Sequence, residues 1–415
     1  MSSEVEAAVA DAFREEWGRI VAYLIRMTGD WDLAEECAQD AFAQALVRWP
    51  RDGVPRRPGG WLTTTARNRA LDRLRRRVNE AVKVQEAMVI TRLAESGDAD
   101  DDGGIGDDRL RLIFTCCHPA LAMEARVALT LRTVAGLTTN EVARACLVTE
   151  PTMAKRLVRA KTKIRNAGIP YRVPPPQLLP ERASGVLAVL YLLFNEGYAA
   201  TAGADLVRQN LCAEAVRLAR LLVRLMPGEP EPEGLLALML LHHSRRGART
   251  DDAGELVTLE HQDRERWDAS EITEGVGLLE TALRRGRPGP YQVQAAIAAC
   301  HATARTAADT DWVEIATLYG ELARLVPSAV VELNRAVAVA MADGPAAGLV
   351  LVDRLEAEGA LPGYHLLPAT RADLLRRLHR DDDAAAAYRQ ALGLASSDTE
   401  RRYLERRLAE VSGPR

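Results

Sequence analysis

Three observations predict an all-α fold for this 415-residue chain. Apolar residues recur at three- and four-residue spacing almost throughout, the period of a helix with one buried face. No convincing alternation of apolar and polar residues, the mark of a half-buried strand, interrupts that pattern. The breaks fall instead at proline-, glycine- and aspartate-rich stretches, which divide the chain into helical blocks. With 47% hydrophobic and 27% charged residues, the composition is that of a globular chain, and the length makes two or three domains the starting expectation.

The N-terminus, MSSEVEAAVADAFREEW, is acidic and amphipathic, so it does not read as a secretory signal. The longest apolar stretch, VLAVLYLLF (186–194), is too short to cross a bilayer, and no membrane span is expected. Six cysteines stand at 37, 116, 117, 146, 212 and 300 without CxxC spacing, which fits a reducing, cytoplasmic setting. The net charge of −4 conceals a strong segregation of charge along the chain.

Residues 10–77 form the first helical block. Within it, 29–50 (GDWDLAEECAQDAFAQALVRWP) reads as an amphipathic helix with an acidic face of Asp32, Glu35, Glu36 and Asp40. Residues 56–77 (RRPGGWLTTTARNRALDRLRRR) then carry eight arginines against one acid, Asp72, with Trp61 and Asn68 interleaved. Arginines suit phosphates, and an aromatic with an amide suits an unstacked base. An acidic helix beside a basic one suggests two partners, a basic protein surface and a nucleic acid. Residues 78–107 read as a flexible acidic linker ending in SGDADDDGGIGDD.

Residues 108–170 form the second block, whose end carries the most informative stretch of the chain. TTNEVARACLV (138–148) reads as a short helix and turn, with Thr138 and Glu141 in capping-box spacing and Leu137, Val142, Ala143 and Val148 as its inward face. PTMAKRLVRAKTKIR (151–165) follows, with six basic residues and no acid. Thr149 is placed to cap this helix, Pro151 sits in its first turn, and Met153, Leu157, Val158 and Ile164 are spaced to pack inward. Short helix, turn and basic helix is how a helix-turn-helix enters a major groove. Thr152, Lys155, Arg156 and Arg159 project from the half that reaches base edges. Lys161 and Lys163, with Arg165, suit phosphates.

RVPPPQLLP (172–180), within a 171–180 spacer, cannot continue a helix. Residues 181–415 form a third, larger block. ARLLVRLMP (219–227), GELARLVP (320–327) and YRQALGLAS (388–396) resemble one another, and Pro227, Pro327 and Ser396 are separated by 100 and 69 residues. Those spacings approach three and two units of about 34, the tetratricopeptide length. A superhelix of helix pairs would offer a concave surface for a protein, peptide or small ligand.

Taken in order, DLAEECAQDAFAQAL, GGWLTTTARNRALDRLRR, an acidic linker and a basic helix-turn-helix resemble the group IV, or extracytoplasmic-function, sigma factors of bacterial RNA polymerase. The block DDRLRLIFTCCHPAL (107–121) with the long helical extension is similar to the subgroup carrying a C-terminal tetratricopeptide-like domain. The resemblance implies an all-α chain with 10–77 as sigma region 2, 108–170 as region 4, and 181–415 as a regulatory domain. It implies that Asp32, Glu36, Gln39, Asp40 and Phe42 dock on the β′ clamp helices of core RNA polymerase. It also implies that Trp61, Arg67, Asn68, Arg69 and Arg73 bind and melt the −10 element. Region 4, seated at the β flap, would read the −35 element of promoter DNA with Thr152, Lys155, Arg156, Arg159, Lys161 and Lys163. One departure stands out: many family members have glycine just before that threonine, and this chain has Pro151. The resemblance implies no enzyme activity, no cofactor and no metal. It further implies that the extension controls activity through intramolecular contact with regions 2 and 4. The alternative on the residues alone is a helix-turn-helix regulator with a tetratricopeptide-like sensor, acting outside the polymerase.

Other constellations read as structural. Cys116-Cys117-His118 falls on a stripe with Phe114 and Leu121, which favours buried side chains over a metal or redox site. YLLFNEGY (191–198) reads as a helix-packing corner, with a ligand site as the second possibility.

Overall fold

The computed structural model describes residues 2–80, 102–146, 148–199, 206–251, 257–395 and 398–412. Among these every long regular element is a helix, as the periodicity predicts. Residues 2–196 lie in one compact unit and 197–415 in another.

The first unit opens with α1 (Ser2–Thr28), α2 (Trp31–Asp52) and α3 (Pro58–Glu80). Asp30 caps α2, its carboxylate accepting from the Asp32 and Leu33 backbone N–H at 3.0 Å. Trp17, Ile20, Leu24, Leu33, Trp49 and Leu62 close the core between these helices. The expected linker over 78–107 is helical at both ends, since α3 reaches Glu80 and α4 (Asp102–Cys116) begins at Asp102. Its middle, 81–101, lies outside the described residues.

Helix α5 (Met123–Leu129) runs into a π-helical turn at Thr130–Val134. Then come α6 (Thr139–Ala145) and α7 (Glu150–Asn166). These do not form a separate body: α4 and the π-helical turn pack on α1. Gly18 lies so close to Val134 O that a Cβ there would sit 2.6 Å away. Gly136, at φ +83°, turns the chain over Trp17, which a Cβ would approach to 2.8 Å. Arg26 of α1 pairs with the buried Asp108 of α4 at 2.7 Å. The Tyr171 hydroxyl donates to Ala22 O at 2.9 Å, with Asp108 O 3.2 Å away.

Helix α8 (Leu179–Ala199) leads into the second unit, which holds α9 (Leu206–Leu225), α10 (Pro230–His243), α11 (Ala269–Leu283), α12 (Pro290–Thr303) and α13 (Trp312–Leu325). It ends with α14 (Ala329–Asp343), α15 (Pro345–Ala357), α16 (Leu366–Arg377), α17 (Asp381–Leu394) and α18 (Asp398–Ser412). From α13 onward each helix packs on its sequence neighbours, the arrangement of helical repeats. Trp312, Pro345 and Asp381 begin alternate helices 33 and 36 residues apart, near the tetratricopeptide length of about 34. Leu333, Val352, Leu375 and Tyr388 form the continuous core beneath α14–α18. Between α10 and α11 the repeat gives way to short 3-10 turns.

Candidate nucleic-acid and polymerase interfaces

The basic helix is built as the sequence predicts, with three differences. The capping box at α6 is formed in both directions, Glu141 N donating to Thr138 Oγ1 and Thr138 N to Glu141 Oε2. Thr149 stands at the N-cap of α7, but its hydroxyl meets the Thr152 hydroxyl at 2.8 Å and caps no backbone N–H. Val158, expected to face inward, is 63% exposed, and Ala160 completes the buried stripe of Met153, Leu157 and Ile164. The reason is angular: Val158 follows Leu157 directly, about 100° around the helix, whereas Ala160 is three residues on. Leu137 and Val148 are half-buried, and Val142 and Ala143 fully buried.

Thr152, Lys155, Arg159 and Lys163 are exposed on one side of α7, and Arg156 is half-buried. Lys161 is different. Its side chain is only 11% exposed, and Nζ lies 2.8 Å from Asp32 Oδ1 and 3.1 Å from Glu35 Oε1 on α2. The phosphate-suited lysine is thus tied to the acidic helix. Glu35 itself, expected on the acidic face, is buried at 6% exposure. Arg132 Nη2 stands 3.3 Å from its Oε2, and the Thr133 hydroxyl donates to its Oε1 at 3.3 Å. Two cations and a hydroxyl thus surround this carboxylate away from water.

On α2, Asp32, Glu36 and Gln39 are exposed and Asp40 half-exposed. Phe42, assigned by resemblance to the docking face, belongs to the core. It is 5% exposed, with its ring edge-on to Phe13 at 4.9 Å and 6.3 Å from Trp17. On α3, Asn68 and Arg69 are exposed, and Arg67, Arg73 and Trp61 half-buried. Trp61 packs edge-on against Trp49 at 5.7 Å, so one part of the indole is anchored. Arg73 bridges the two helices, bonding to Glu36 and to Asp40 at 2.9 Å. Sequence reasoning assigned these partners separately and missed that Arg73 and Lys161 neutralise α2. Opposite charges on both helices were the available signal.

Cys116 and Cys117 are buried with Phe114 and Leu121, and burial pushes the Cys117 thiol up to about 11. Among the described residues no group of His, Cys, Asp and Glu is placed to hold a metal, and no helix is long and apolar enough to cross a membrane.

Comparison with known families places these elements. Residues 12–80 match sigma-70 region 2, residues 111–164 match sigma-70 region 4, and residues 182–283 match a family of unknown function, DUF6596. Regions 2 and 4 in that order, with a helical extension, define a sigma factor of the extracytoplasmic-function type, a promoter-recognition protein that partners core RNA polymerase and promoter DNA. The chain belongs to one family with an uncharacterized protein of Rhizobium meliloti (strain 1021), to which it is 44% identical over 411 residues, 98% of this chain and 96% of that protein. No solved structure matches the chain.

Proposed function

We propose that this protein docks on the β′ clamp helices of core RNA polymerase through Asp32, Glu36, Gln39 and Asp40, and reads a −35 element at the β flap with α7. In this reading Trp61, Arg67, Asn68, Arg69 and Arg73 then engage and open the −10 element, and residues 181–415 control the process. Regions 10–77 and 108–170 are the two DNA-reading modules, and the site of action is the cytoplasm, where the polymerase works. The protein performs no covalent chemistry. It converts binding energy into duplex opening: extruding a base costs a few kcal/mol, and stacking with hydrogen bonds to the splayed base offsets part of that.

The observation that supports this most is the charge layout of the first unit. An acidic helix, an arginine-rich helix and a basic recognition helix lie in one unit, and one cation of each basic helix pairs with the acidic one. Lys161 on Asp32 and Glu35, and Arg73 on Glu36 and Asp40, occupy groups that this reading assigns to polymerase and DNA. The described arrangement is therefore a closed one, and α7 has to leave α2 before both can serve their partners.

The test is a binding experiment with the full chain. Glu36→Arg with Asp40→Arg should weaken core polymerase binding by about tenfold or more, because like charges then face a basic docking surface. Unchanged polymerase binding by the folded double variant would contradict the docking assignment.

A further inference from the structure

Helix α8 matches the extension in sequence and folds with region 4. From residue 182 the chain matches DUF6596, whereas the match to sigma-70 region 4 stops at 164. Yet α8 lies in the first unit as far as Glu196. It is held there at the Cys116-Cys117-His118 turn that closes α4. The Arg182 guanidinium donates to Phe114 O at 2.8 Å. Phe114 stands in the last turn of α4, where carbonyls run out of helical partners and a cation is favoured. Three residues further along α8, Gly185 faces the same turn. A Cβ there would stand 3.8 Å from both Cys117 O and Arg126 Nη1, so a side chain much larger than a methyl would press on the turn. Ala183, Val186, Leu187 and Leu190 are buried, at the spacing of one apolar face.

The same turn is held by Arg126 of α5, whose guanidinium donates to Leu121 O and to Pro119 O, both at 2.9 Å. Helix α5 in turn packs on the recognition helix α7. The Cys117 thiol meets Thr130 Oγ1 of the π-helical turn at 3.5 Å. An unbroken run of contacts thus leads from Arg182 through the 114–121 turn and α5 to α7. At the far end of α8, Glu196 and Arg156 are both charged neighbours of Cys146, the residue that ends α6. Helix α8 therefore bears on the helix-turn-helix at both of its ends.

We infer, given the DNA-reading role proposed for region 4, that α8 is a working part of the −35 reader. Arg182 and Gly185 are positioning residues, which set the helix-turn-helix through the 114–121 turn. The partner of this face of region 4 is the chain's own segment 179–196, and the control assigned to residues 181–415 has its route to α7 here. Cys116-Cys117-His118 thereby gains a role that is neither metal nor redox chemistry: it is the seat of a helix.

The test is amide hydrogen exchange of the full chain, paired with its binding to a pool of genomic promoter duplexes. Arg182→Ala should speed exchange several-fold in 114–121 and also in α7, and should weaken DNA binding by about fivefold or more, because a charge-assisted bond is lost. Arg182→Lys, which keeps a cation at the end of α4, should recover part of both effects. Gly185→Ala, whose Cβ meets only ordinary contacts, should match the parent, and Gly185→Leu should reproduce Arg182→Ala. Should Arg182→Ala fail to fold, Arg182→Lys and Gly185→Leu carry the comparison. Lys155→Ala with Arg159→Ala is the control on DNA reading itself. If that variant binds DNA as the parent does, α7 is not the reader and α8 is no part of one. If it binds weakly while Arg182→Ala and Gly185→Leu bind like the parent, the role of α8 alone is overturned. Faster exchange confined to 114–121, with α7 and DNA binding unmoved, would overturn it too, because Arg182 would then be structural only.

Discussion

At the scale of single residues, Glu35 joins the two helices that face different partners in the proposed function. Its buried carboxylate accepts from Lys161, Arg132 and Thr133, so it fastens the recognition helix to the acidic one. Glu35→Gln keeps the shape and removes the charge that holds the two cations. Chemical denaturation should show the first unit weakened by about 1–3 kcal/mol, while core polymerase binding strengthens because α2 is uncovered. Weaker polymerase binding by the folded variant would count against a closed state. A pH effect belongs to the same scale. Burial and neighbouring arginines hold His242 and His301 near 3 and 4 in the folded chain, against about 6.5 when unfolded. Below about 6.5 the unfolded chain takes up protons that the folded chain refuses, so stability present above that pH falls as pH drops toward 4. His242→Gln, away from Arg245 and Arg249 only in its charge, should flatten the fall in melting temperature between pH 7 and 4.5. An unaltered slope would place the titration elsewhere.

At the scale of the element, much was legible in the sequence. The capping box of Thr138 and Glu141, the proline in the first turn of α7, and the inward Met153, Leu157 and Ile164 follow from local rules and stand in the structure. What local rules do not carry is the environment. Val158 sits next to a core residue in sequence but one-quarter turn away on the helix, and Phe42 joins the core because Phe13 and Trp17 come from α1 to meet it. Glu35 looked like surface charge for the same reason: its cations arrive from residues about 100 and 130 positions later. Leu157→Ala should therefore cost about 2–5 kcal/mol and Val158→Ala less than about 0.5 in denaturant unfolding; equal costs would refute the assigned faces. Lys155→Ala with Arg159→Ala should lower the salt dependence of promoter-DNA binding by about two units of slope while leaving the fold intact. A slope that does not move would remove α7 from the DNA interface.

At the scale of the whole molecule, the sequence carried the order of its modules but not their grouping. Proline and glycine breaks mark 171–180 as a spacer, yet regions 2 and 4 fold into a single unit, because Gly18 and Gly136 let the 130–136 turn lie directly on α1. The helical extension was legible where its pairs repeat every 33 and 36 residues, and illegible between α10 and α11, where 3-10 turns interrupt the repeat. In the proposed function this chain turns core RNA polymerase into a promoter-specific enzyme. The measurement that tests it most directly is transcription by purified core polymerase and the full chain on a genomic promoter library, with transcript starts mapped. The transcripts should depend on the chain, start at defined positions, share upstream −35 and −10 sequences, and vanish with Glu36→Arg and Asp40→Arg. Duplex DNA bound by the chain without any polymerase-dependent initiation would contradict it and make the protein a conventional DNA-binding regulator.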